Sequence, residues 1–232
     1  ALYGEHILPE EVTDAFRLLE EQTQSLAWHA IEPLLKTELG AFYDDFIIEK
    51  APIGAASLAQ VHRATMISSG EQVCLKVQYP GVAESIDSDL ASIVGLLKLS
   101  RLVKMEDHFN EWLDEIRKLL HFEIDYLREA IMTEQFAQRL TSNPIFKVPR
   151  IYKKYSTAKL LVSSFEDGVA VNDDSVLLIE KTQRNHLAKA FLQLFIHELF
   201  DWGCIQTDPN FGNYRIQQCQ DNDYRIVLLD FG

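Results

Sequence analysis

Three places in this 232-residue chain carry side chains whose types and spacing suit chemistry on phosphates. Lys76 lies in Val73-Cys74-Leu75-Lys76, a run with strand-like alternation. An ammonium on a strand can neutralise phosphate oxygens, although a strand lysine is more often simply solvated. Asp208-Pro209-Asn210-Phe211-Gly212-Asn213 sets an aspartate and an asparagine with four residues between them. From one loop, the carboxylate can accept or orient the proton of an attacking hydroxyl while the amide oxygen reaches a magnesium ion. Proline and glycine suit the irregular backbone this needs, and they are also ordinary turn text. Asp230-Phe231-Gly232 follows an apolar strand-like run, 17 residues after Asn213. It offers a second carboxylate for the same ion, with a hydrophobic anchor beside it.

The elements that must position these groups can be read from periodicity. Residues 9–39 read as helical, with Pro33 opening a second short helix that Gly40 ends. A short strand at 46–48 leads into the small-residue loop 51–57. Residues 58–66 and 72–79 are strands around a Ser68-Ser69-Gly70 turn. In the second of them Val73, Leu75 and Val77 share one face, and Cys74, Lys76 and Gln78 the other. Two long helical stretches, 82–103 and 106–140, follow. Strands at 148–152 and 159–165 precede a turn at Glu166-Asp167-Gly168. A helix capped by Asp173 or Asp174 runs to Trp202, with Phe191, Leu194, Phe195 and Leu199 as a core stripe. A hairpin around 221–223 then leads to Asp230.

Each chemical segment alone is weak, but their order is specific. Lysine strand, Asp-x4-Asn loop and Asp-Phe-Gly come in the order of a kinase. Two features depart from an ordinary protein kinase. The loop before the lysine strand has one glycine, Gly54, followed by Ala55, Ala56 and Ser57, which still permit close backbone approach. The glutamate best placed to partner Lys76, Glu129, comes 53 residues later, which implies an inserted helix.

Composition narrows the ligand. Thirty-five acidic residues against 22 basic ones give a net charge of −13, which disfavours nucleic acid and makes a magnesium-shielded nucleotide the expected anionic ligand. No apolar run approaches the roughly 20 residues of a membrane helix. Cys74, Cys204 and Cys219 are an odd count without metal-like spacing, so reduced thiols in an intracellular compartment are expected. The seven histidines show no close metal spacing either.

Pro52-Ile53-Gly54-Ala55-Ala56-Ser57-Leu58-Ala59-Gln60-Val61-His62 resembles the alanine-rich loop of the UbiB family of atypical kinases, also called the ABC1 or AarF-domain kinases. Glu123-Ile124-Asp125-Tyr126-Leu127-Arg128-Glu129-Ala130 resembles that family's Glu-x-Asp motif, and Gln206 through Asn213 resembles its catalytic loop, in wording nearest to the coenzyme Q-supporting branch. The resemblance implies an α+β, bilobal, protein kinase-like fold. A β-rich N-lobe (46–165) carrying inserted helices would follow a helical extension (1–45), and a helical C-lobe (166–232) would be cut short after Asp-Phe-Gly. It implies ATP and Mg2+ as cofactors. Lys76 would pair with Glu129 and contact the phosphates, while Gly54, Ala55, Ala56 and Ser57 cover the nucleotide. Asp208 would be the catalytic aspartate, and Asn213 and Asp230 would hold magnesium. Glu123 and Asp125 would belong to a motif packed over the active site; on helical geometry Asp125 and Glu129 share a face and Glu123 points elsewhere.

The implied function is an ATP-binding kinase or ATPase supporting ubiquinone biosynthesis, with a lipid or quinone precursor and other biosynthetic proteins as partners. The implied location is the bacterial cytoplasm or inner membrane, or the mitochondrial matrix, with membrane association through segments outside this chain. Two alternatives are a non-catalytic kinase-like scaffold that reads nucleotide or lipid, and a small-molecule phosphotransferase. The family's Lys-x-Gly-Gln motif is absent from residues 1–40, and alanine is common in the family where Gly54 stands here.

Overall fold

The computed structural model of the chain describes residues 25–55, 58–100, 109–205, 211–219 and 223–231. Its strands are β1 (Phe46–Ala55), β2 (Ala59–Met66), β3 (Gln72–Gln78), β4 (Phe146–Lys147), β5 (Leu160–Ser164), β6 (Val169–Ala170), β7 (Tyr214–Gln218) and β8 (Tyr224–Leu228). They form two four-stranded sheets, ordered β1-β2-β3-β5 and β4-β8-β7-β6. The first is antiparallel throughout. In the second only the β4–β8 pair is parallel. The helices are α1 (Trp28–Leu39), α2 (Val82–Ser100), α3 (Phe109–Glu123), α4 (Tyr126–Arg139) and α5 (Lys181–Ile196). This is the expected α+β order.

The alternation in β3 does what its sequence predicts. Val73, Leu75 and Val77 are buried against Ala64, Met66 and Val162 and under Ile31, Leu35 and Leu39 of α1. The spacing of those three α1 residues, four apart, lays one helical stripe on the sheet. That stripe also explains why α1 runs through Pro33 instead of starting there: the buried face spans the proline, and one lost backbone bond is tolerated. Gly40 ends the helix at φ +52°, its N–H donating to the Lys36 carbonyl.

Other elements differ from the periodicity reading as well: the strand expected at 148–152 is reduced to a bridge between Ile151 and Ser163. Strand β1 does not give way to a loop after Ile48 but continues to Ala55, with register shifts on either side of Pro52. Proline cannot donate to the ladder, and the register slips on both sides of the Pro52↔His62 pair before continuing at Gly54↔Val61 and Ala55↔Gln60. The helical stretch 106–140 is two helices, broken at Ile124 and Asp125. The helix expected from Asp173 is a 3-10 turn, Asp174–Leu178, capped by Asp173, followed by α5.

Helix α5 widens into a π turn, His197–Trp202, which Gly203 ends at φ +59°. The widening rotates the last turn relative to the core. Leu194 is buried and Phe191 partly so, but Phe195 and Leu199 are exposed, so the expected four-residue core stripe is only half realised. This second core joins Leu187 and Leu194 of α5 to Phe136, Leu140, Phe146, the β7–β8 hairpin and Phe231. No helix among the described residues is long and apolar enough to cross a membrane.

Candidate functional site

The sheet face opposite the α1 core carries Lys76, in register between Val61 of β2 and Leu161 of β5. Helix α4 lies across this face. Its Tyr126 and Ala130 pack with Ala59 and Leu161 into a small buried cluster. Alanines at two of these four positions let the helix backbone come close to the sheet. Glu129, one turn into α4, is thereby brought to Lys76.

The ammonium of Lys76 donates to both carboxylate oxygens of Glu129, at 2.9 and 2.8 Å. It also donates to Oδ2 of Asp230 at 3.3 Å. Its third side is the ring of Tyr126, whose centroid lies 5.2 Å from Nζ, a cation–π contact. The Glu129 side chain is 3% exposed, that of Lys76 17% and that of Asp230 26%. Burial pushes the Glu129 carboxyl up to about 7, while Lys76 pulls it down and Asp230 adds to the rise. Burial also disfavours the Lys76 charge, but Glu129 and then Asp230 more than offset this, so its pKa is raised and it stays protonated. One cation is therefore shared by two acids.

Asp125 does not share a helix face with Glu129, as a continuous helix would have it. It is the N-cap of α4, and its carboxylate accepts from the Arg128 N–H at 3.0 Å. Glu129 itself is in the first turn, where a negative charge faces the positive end of the helix dipole. Thr133 back-bonds to the Glu129 carbonyl at 2.7 Å. Asp125→Ala is expected to cost about 1 kcal/mol of stability through the lost cap. It should also speed amide hydrogen exchange at Arg128 and Glu129 selectively, which exchange mass spectrometry would read.

The second acid is placed by the hairpin. Tyr214 of β7 pairs with Leu228 of β8, and the Leu229 N–H donates to the Asn213 carbonyl at 2.9 Å. Asn213 and Asp230 therefore leave the same end of one hairpin. Phe231 is buried, with its ring 4.7 Å from that of Phe136 on α4. The same helix thus carries Glu129 to Lys76 and Phe136 to the residue beside Asp230. An amide oxygen and a carboxylate are hard donors of the kind Mg2+ takes, one or two from protein and the rest from phosphates and water. Among the described residues no group of three or more His, Cys, Asp or Glu could form an all-protein cage.

Gly54 and Ala55 are exposed at the tip of β1, and a Cβ on Gly54 would meet nothing within 4 Å. Ala56, Ser57 and Asp208 lie outside the described residues. Glu123, at the end of α3, is exposed and is not among the ligands of Lys76. Cys74, two residues from Lys76 on the same face, has its thiol pushed up to about 11 by burial and is a poor nucleophile at neutral pH. The open apolar groove lined by Leu90, Val94 and Leu113 between α2 and α3 shares no residue with the Lys76 cluster. Sequence reasoning did not single out Tyr126 or Phe136, because aromatic residues at helical spacing read as core. Both are core, and their position next to Lys76 and Phe231 depends on where α4 begins.

The sequence profile described as "ABC1 atypical kinase-like domain" matches residues 18–232. The chain is 34% identical over 208 residues to the zebrafish (Danio rerio) mitochondrial atypical kinase COQ8B, covering 89% of this chain and 32% of that protein. It is 31% identical over 230 residues to the mitochondrial atypical kinase COQ8 of Saccharomyces cerevisiae, covering 98% and 45% respectively. To the chicken (Gallus gallus) AarF domain-containing protein kinase 1 it is 32% identical, covering 98% of this chain and 44% of that protein. The chain thus spans less than half of the length of these relatives. A Mycobacterium tuberculosis protein solved in complex with erythromycin superimposes with a TM-score of 0.72 at 24% identity, covering 97% of this chain and 56% of that one.

Proposed function

Because the chain belongs to the ABC1 atypical kinase-like family, we propose that it binds ATP with magnesium and acts as an atypical kinase or ATPase in support of ubiquinone biosynthesis. The observation that carries the reading is the convergence of Lys76, Glu129 and Asp230 from β3, α4 and the end of the β7–β8 hairpin. A structural ion pair needs one acid. Here a second acid, more exposed than the first, comes from the end of a hairpin that also carries Asn213.

In this reading Glu129 orients Lys76, and Lys76 holds the phosphates. Asn213 and Asp230 would hold magnesium, which supplies charge neutralisation at the transferring phosphoryl group. Asp208 would orient the attacking hydroxyl or water, and Gly54 through Ser57 would cover the nucleotide. Glu123 and Asp125 would belong to a motif packed over the active site, with Asp125 also capping α4. The COQ8 relatives are named as mitochondrial proteins. A matrix location for a eukaryotic chain, or a cytoplasmic or inner-membrane one for a bacterial chain, belongs to the same proposal. So do a lipid or quinone-precursor substrate and partners among the ubiquinone-biosynthesis proteins.

Titration calorimetry of the full-length protein with MgATP tests this. Saturable binding is expected, weakened at least about tenfold by Asp230→Ala. No binding, or binding indifferent to Asp230→Ala, would sink the proposal. If cellular ubiquinone is unchanged by Asp208→Asn but lost with Asp230→Ala, the nucleotide is read by a scaffold and not turned over.

A further inference from the structure

Gln78 ends β3 on the face that carries Lys76, two residues further along. It is 5% exposed. Both of its amide hydrogens are used: Nε2 donates to the Ile124 carbonyl and, at 3.0 Å, to the Ala158 carbonyl. Its own N–H donates to the Lys159 carbonyl at 3.1 Å. Burying an amide is costly unless it is bonded, and each bond it makes here ends on backbone. Those carbonyls are 46 and 80 residues away in the chain, so the contacts are tertiary and not part of a local turn.

Ile124 is the middle residue of Glu123-Ile124-Asp125, in the break between α3 and α4. Asp125 caps α4 immediately after it, and Glu129 follows one helical turn on. A shift at Ile124 is therefore passed to Glu129 through a single capped turn, with little to absorb it. At 2.8 and 2.9 Å, the bonds from Lys76 to Glu129 leave no slack for such a shift.

We infer that Gln78 is a positioning residue: it pins the Ile124 turn to the lysine strand and so sets how far Glu129 reaches toward Lys76. The helix bearing Glu129 is then not free to swing away from β3, because the same strand holds it at both Lys76 and Gln78. The functional half of this inference rests on the reading of Lys76 as the phosphate-holding lysine; the structural half does not.

The test uses the full-length protein with MgATP as probe. Gln78→Met keeps the side-chain length and removes both donors. Amide exchange over residues 125–130 should become about tenfold faster, and MgATP affinity should fall by about tenfold. With Glu129→Gln already present there is no carboxylate left to position, so adding Gln78→Met should lower affinity by less than about twofold. Unchanged exchange over 125–130 overturns the inference, as does an equal affinity loss in both backgrounds. If the unaltered protein binds no nucleotide, the proposed function fails and the exchange result alone decides the pin. Gln78→Glu, equal in size but facing two carbonyls with acceptors, gives the same readouts should the methionine variant not fold.

Discussion

Replacing Lys76 by methionine is expected to cost about 3 kcal/mol of stability near pH 8 and much less near pH 5. Removing one partner of a buried pair leaves the other charge uncompensated, typically at about 3–5 kcal/mol. Glu129, at 2% exposure, has no solvent to turn to. It does have a proton. Its folded pKa, about 7, already lies above the usual carboxylate range. For such a group the folded chain holds a proton that the unfolded chain releases, so stability falls as pH rises through that window. Deleting Lys76 removes the largest influence pulling the carboxyl down, while burial and Asp230 still push it up. The window then extends to higher pH and the loss grows. Below about pH 5 the carboxyl is neutral in both proteins, and the missing cation matters little. Thermal melts of the two proteins from about pH 5 to 8.5 would show it, at about 2–4 °C per kcal/mol for a chain of this size. A deficit that does not change with pH would mean that Glu129 stays ionised throughout.

Much of this site was legible in the sequence because it depends on strand parity and motif order. Lys76 had to face away from Val73, Leu75 and Val77, and it does. Asp230 had to follow an apolar strand, and Phe231 had to be buried, and both are so. What could not be read was the break at Ile124 and Asp125. Apolar spacing runs through it, so residues 106–140 scan as one helix, and only the capping geometry reveals a second start. That start decides which way Glu129, Tyr126 and Phe136 point. Gln78 was equally silent: on a strand, an amide reads as solvated unless its distant carbonyl partners are known. The π turn after α5 has no periodic signature either, so the exposure of Leu199 could not be foreseen.

Gly168 leads to the second large expected effect. It lies in the connection between β5 of one sheet and β6 of the other, at φ +135°. Side chains rarely adopt that conformation, and a Cβ here would sit 2.8 Å from the Ile216 carbonyl oxygen and 3.2 Å from its carbon. Both atoms are strand backbone, held by pairing on each side of β7, so neither can step aside cheaply. Gly168→Ala should therefore cost about 3 kcal/mol or more, strain and displacement together, lowering the melting temperature by at least about 6 °C. Two other glycines separate the causes. Gly70 has φ +71° in open space, so its alanine variant carries strain without a clash and should cost about 1 kcal/mol. Gly54 has neither, and its alanine variant should be neutral or up to about 1 kcal/mol more stable. If the melting temperature falls most for Gly168, less for Gly70 and not at all for Gly54, close approach to β7 costs more than the backbone strain. A Gly168→Ala chain no worse than Gly70→Ala would show that β7 yields. The close approach is also what seats the connection on the second sheet, since Arg215 donates to the Gly168 carbonyl at 2.9 Å and Val169 pairs with Ile216. Strand β7 opens on the Asn213 side and β8 ends at Leu228, two residues before Asp230. Any displacement at Ile216 therefore travels along the hairpin that positions both, and under the proposed function the destabilised variant should lose MgATP affinity as well as melting temperature.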